Sequence, residues 1–165
     1  MANGIFLFFV FVSLVSGLSR GPQRQLWSLA VLAVSAYISG NAYTAFLTVI
    51  RPFIESEAGA RFASFAIIFC VMSAVLGLTV DALLDREYRR KNDFSLGERL
   101  AGGFLGAVHA VATAEVLAAL VLMYPVLQWD RWILEADIFG AIFRQWPFML
   151  SLLPSDFRQV LEMLR

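Results

Sequence analysis

Four long stretches of this sequence carry almost no charge, and they limit what the chain can become. Ala2 to Ser19 is an uncharged run of 18 residues, Gln25 to Ile50 one of 26, and Phe62 to Val80 one of 19. Leu100 to Gln128 covers 29 residues with a single charge, Glu115. A hydrocarbon core of about 30 Å is crossed by about 20 helical residues rising about 1.5 Å each. The pattern therefore predicts an all-α integral membrane protein with four transmembrane helices, over about 2–19, 25–50, 62–80 and 100–124. Composition agrees: 59% of the 165 residues are hydrophobic and 16% charged, with a mean hydropathy of +0.72. A soluble domain carries about 45–50% and about 25%. The zero net charge leaves no basic field to gather nucleic acid. The only cysteine, Cys70, has no partner for an internal disulfide.

The charges between the runs predict orientation. A cleaved signal peptide would need positive charge ahead of its apolar run, and Met1 to Gly4 has none; Arg20 and Arg24 follow the run instead. An uncleaved first helix with its C-terminal end in the cytoplasm is expected. The first and third loops carry seven Lys or Arg residues (Arg20, Arg24, Arg86, Arg89, Arg90, Lys91 and Arg99) against Arg51 and Arg61 in the second. By the positive-inside rule the N-terminus and tail then lie outside the cytoplasm. Asp85 with Arg89 and Glu87 with Lys91 are i,i+4 pairs, so the third helix is expected to protrude past the membrane. Pro52 and Pro125 punctuate the ends of the second and fourth spans.

Residues 1–128 read as a four-helix transmembrane domain and 129–165 as an amphipathic C-terminal segment. In that tail Trp132, Ile138, Phe139, Ile142, Phe143 and Trp146 fall along one stripe, and Ser155 is placed to cap a last short helix. Such helices lie in the membrane interface, or cover the mouth of the bundle or a partner subunit.

The fourth run holds the most information. Gly102, Gly106, Ala110 and Ala114 recur every four residues, the small-xxx-small pattern that lets two helix backbones approach closely in lipid. The seam is a contact inside one subunit or between copies. Glu115 lies on the opposite side of the same helix, roughly 18–22 Å along it. A carboxylate there costs about 2.5–3.5 kcal/mol on insertion scales, so it is protonated, paired or wet. It is either part of an ion or proton relay, or a side chain hydrogen-bonded to a neighbouring helix. His109, the only histidine, is a second intramembrane polar candidate and makes no metal site by itself. The five residues Gly106 to Ala110 echo Gly17 to Gly21, a pattern that an inverted repeat would produce. No HExxH, no Ser–His–acid and no Cys–His arrangement is present, so neither catalysis, a cofactor nor a metal is expected.

The junction Gly17-x-x-Arg20-Gly21-x-x-Arg24 leading into Leu26-x-Ser28-Leu29 is one of three distinctive stretches. The others are Glu98-Arg99-Leu100-Ala101-Gly102-Gly103-Phe104-Leu105-Gly106 and Ser151-Leu152-Leu153-Pro154-Ser155-Asp156-Phe157. With four spans, they make the chain resemble the colicin V production protein family over nearly its whole length. It departs from the family where His109-Ala110 stands in place of Arg-Gly and Ala136 in place of a serine. The resemblance implies a bacterial inner-membrane protein tied to toxin production or export and to envelope homeostasis.

The expected function is that of a non-catalytic multi-pass protein, acting as a small channel or transport-like oligomer or as an accessory to export or envelope proteins. The competing expectation is a non-conducting scaffold whose Arg86, Arg89, Arg90 and Lys91 meet lipid headgroups or a cytoplasmic partner.

Overall fold

The computed structural model describes residues 2–88 and 94–124, residues 85–88 by backbone alone, together with Ala141, Gln145 and Met149. It is all-helical over these residues: α1 (Ala2–Arg20), α2 (Pro22–Ile50), α3 (Glu57–Tyr88) and α4 (Leu96–Met123). Each is long and apolar enough to cross a membrane. The tail stripe and Pro125 lie outside the described residues. So do Arg89, Arg90 and Lys91, while Arg86 is placed only as part of the α3 backbone.

The helices start where local chemistry permits, somewhat earlier than the uncharged runs imply. Only Gly21 separates α1 from α2, with φ 78° and ψ 164°. A left-handed φ is natural for glycine and strained for any residue with a Cβ. Pro22 follows as the first helical residue, where its missing N–H breaks no bond. α4 opens with a capping box: the Ser95 hydroxyl accepts from the Glu98 N–H at 3.3 Å, and the Glu98 carboxylate accepts from the Ser95 N–H at 2.9 Å. α3 begins five residues before its apolar run, with Arg61 donating to Glu57 one turn away at 2.6 Å. It continues to Tyr88, eight residues past the end of its uncharged run at Val80. Pro52 sits in the turn between α2 and α3.

The four helices form a row rather than a closed ring, in the order α1, α4, α2, α3. α4 packs along α1 and against α2, and α2 packs along α3; α1 barely meets α2, and α3 barely meets α4. α4 is accordingly the most buried helix, in keeping with its having demands on two sides. Large apolar residues point outward instead, among them Ile5, Phe8 and Phe11 on α1 and Val71, Val75 and Leu78 on α3. Such an exterior suits a hydrocarbon solvent, which gives no reason to hide apolar surface.

The α1–α4 seam is backbone against backbone. A Cβ on Gly102 would overlap the Gly17 carbonyl, one on Gly17 would overlap the Gly102 carbonyl, and one on Gly106 would overlap the Ser13 carbonyl. Successive glycines of α4 thus step along successive turns of an antiparallel α1. The small-residue stripe is used inside the subunit, and the two echoing segments, Gly17–Gly21 and Gly106–Ala110, meet where Gly106 faces Gly17. Nothing soft stands opposite these glycines.

Gly106→Leu should therefore lower stability in detergent by at least about 1–3 kcal/mol, the usual range for overpacking, since neither backbone can yield locally. Gly97, with no atom within 4 Å of an added Cβ, supplies the control: Gly97→Ala should be neutral or slightly stabilising. Thermal unfolding of both variants checks the pair, and equal melting points would remove the seam from its structural role.

Candidate functional site

A polar pocket of about 330 Å³ opens near the α1–α2 junction, where α3 and α4 scarcely touch and α2 bridges them. Arg20, the last residue of α1, stands at it, and α2 contributes Arg24, Ser28 and Leu32. α3 brings Phe69, Ser73, Gly77 and Asp81; α4 brings His109 and Thr113. On the order of ten waters would fill such a space, at about 30 Å³ each.

One ion pair spans it. Arg24 Nη2 donates to Asp81 Oδ1 at 2.7 Å, joining α2 to α3. Both side chains are partly exposed, at 35% and 50%, so the pair contributes little to stability, within about 1 kcal/mol. Its worth is positional. Two hydroxyls are occupied locally: Ser28 donates to the Arg24 carbonyl at 3.0 Å, and Thr113 to the His109 carbonyl at 2.8 Å. Two polar atoms are buried and without a hydrogen-bond partner among the described residues, Ser73 Oγ and His109 Nδ1. Buried polar atoms are normally paired, so these two mark a place where water or a ligand is needed. Among the described residues no three His, Cys, Asp or Glu side chains come together; the pocket offers guanidinium, carboxylate, hydroxyl and imidazole groups.

Toward the α2–α3 hairpin the interior is dry. Tyr43, Phe65, Val116, Leu120 and Tyr124 belong to one buried cluster, with the Tyr43 and Tyr124 rings 6.1 Å apart. Met149 of the tail is fully buried in the same cluster. Its backbone N–H donates to Glu115 Oε2 at 2.8 Å. At this residue the tail is inside the bundle. The intramembrane carboxyl is held by the Met149 backbone, a partner that hydropathy and spacing do not single out. α4 also starts earlier than its uncharged run, which puts Glu115 about 28 Å along it.

The sequence candidates thus divide into three places. Arg20, Arg24 and His109 share the pocket; Gly17, Gly21, Gly102 and Gly106 form the α1–α4 contact, with Ala110 fully buried one turn further along α4. Glu115 lies apart from both, against Met149. Gly21 also receives the Phe94 ring, which a Cβ there would meet at 2.6 Å.

Ser73, Gly77, Thr113 and Asp81 were not predicted as a group. A signal for Asp81 existed. It lies 24 residues after Glu57, and Arg24 lies 26 before Ile50, so opposite charges stand at equal depth on two helices of one hairpin. Ser73 and Gly77 carry no such mark.

The sequence profile of the colicin V production proteins matches residues 2–145. The chain belongs to that family. Searches of curated proteins and of solved structures gave no significant match. Four apolar helices and this family together describe a multi-pass membrane protein. Of the family-like stretches, the two glycine–arginine segments meet along the α1–α4 seam, and the first also delivers Arg20 and Arg24 to the pocket.

The Glu115–Met149 bond makes a prediction. In Glu115→Gln the amide oxygen still accepts from the Met149 N–H, and stability should change little. In Glu115→Leu that buried N–H loses its partner, at a cost of about 1–3 kcal/mol. Melting points in detergent together with protease sensitivity of the tail test this. Equal behaviour of the two variants would show that the bond holds nothing in place.

Proposed function

We propose that this chain is a multi-pass protein of the bacterial inner membrane that acts as a small transport-like or channel-forming unit, without catalysis, in toxin production or export and envelope homeostasis. The observation that carries the reading is the polar pocket between α3 and α4, which enters the protein from one end and stops against a dry core. A wet half-path closed by a packed half is the form a gated conduit takes at rest. By the positive-inside rule the pocket opens toward the cytoplasm, and both termini lie outside it. On the other side of the core Met149 reaches inward to Glu115. Four spans make a thin wall, so conduction takes several copies. The α1–α4 seam is already filled within one subunit, which leaves the outward apolar faces to join them.

The test is ion or small-solute flux through purified protein in liposomes. Parent protein should conduct. Gly77→Phe should suppress flux severalfold without unfolding, because Gly77 lines the pocket and an added Cβ meets no atom within 4 Å. Glu115→Gln should alter the rate while leaving the fold intact. No flux from well-folded parent protein, or flux indifferent to both substitutions, overturns the reading.

A further inference from the structure

We infer that the pocket binds the phosphate of a membrane phospholipid headgroup, held by Arg20 and Arg24 between α3 and α4. The inference concerns the same pocket as the transport reading but does not need conduction. Charge is the first argument. Asp81 neutralises Arg24, whereas Arg20 has no acidic partner among the described residues, so one positive charge is left over. A phosphodiester carries one negative charge and matches it.

Donor geometry is the second argument. A guanidinium presents five N–H groups in a planar fork suited to phosphate oxygens, and Arg24 directs one nitrogen at Asp81. Deeper in, Ser73 Oγ and His109 Nδ1 are the two buried polar atoms of the pocket lining that lack partners among the described residues. A bound headgroup supplies what they lack, either directly or through a water it orders.

Shape is the third. About 330 Å³ admits a phosphate and a short polar head but not two acyl chains. Among the described residues no helix closes the space between α3 and α4, so the chains can remain outside. Basic pockets between membrane helices, near one interface, are a recurrent form of headgroup site. A free phosphate ion offers the same oxygens but has no use for the open flank.

The experiment is native mass spectrometry of the full chain in detergent, titrated with phosphatidylglycerol. One lipid should be retained by the parent. Arg20→Gln should weaken retention about tenfold, the factor expected when one charge-assisted contact is lost. Arg51→Gln, at the far end of α2, should leave it unchanged. Gly77→Phe should also expel the lipid, and it serves as the second variant if Arg20→Gln does not fold. Retention that is equal in parent, Arg20→Gln and Gly77→Phe overturns the site, as does equal loss in Arg51→Gln. Displacement by inorganic phosphate at concentrations comparable to the lipid assigns the pocket to the free ion and overturns the headgroup. Retention without liposome flux leaves this inference standing and removes the transport reading; flux without retention does the reverse.

Discussion

Everything else in this structure is arranged around two helix backbones in direct contact. Gly17 and Gly102 each aim the place of a missing side chain at the other's carbonyl, and Gly106 does the same to Ser13. In lipid, helices gain nothing by hiding apolar surface from their solvent, so close packing and polar contacts must hold them together. Weak Cα–H···O contacts become available at such distances, and they recur at helix–helix interfaces. With this seam fixed, α4 has one face committed to α1 and the rest available to α2 and the core. His109 and Thr113 then flank the pocket, and Glu115 enters the dry interior.

The row arrangement follows from the same commitment. α4 lies between α1 and α2, and α3 is left with α2 as its main neighbour. The gap between α3 and α4 is therefore a product of connectivity and packing together. Arg24 and Asp81 cross it from α2 to α3, over a lining that mixes polar side chains with Val31, Leu32, Phe69 and Val80. At the other end Phe65, Tyr43 and Met149 fill the corresponding space with apolar atoms.

The extent to which this was readable differs by feature, for physical reasons. Span number and approximate limits follow from uncharged runs, since desolvating a charge dominates every other local preference. The helices α2, α3 and α4 start three to five residues before the uncharged runs because Pro22, Glu57 and Ser95 act through backbone geometry and caps, which hydropathy does not register. The α4 stripe was legible as a close-packing face, but its partner was not: period four on one helix does not identify the surface that receives it. Arg20, Arg24 and His109 were each noticeable as charged or polar residues in apolar surroundings. Their convergence depended on which helices are neighbours, as did the bond from Met149 to Glu115, 34 positions away. Ser73 and Gly77 resemble ordinary small residues of a membrane helix and acquire meaning only from the wall they stand in.

The single-residue break at Gly21 has a consequence for how the protein is made. It joins α1 to α2 so tightly that the two would ordinarily be expected to settle together as a hairpin, yet they barely touch, because α4 occupies the place between them. α1 thus leaves the ribosome before α4 and stays in the bilayer without its principal neighbour until α4 has been synthesised and inserted. Assembly is ordered by an interval rather than by adjacency. A chain that lacks α4 has nothing to fill the place between α1 and α2.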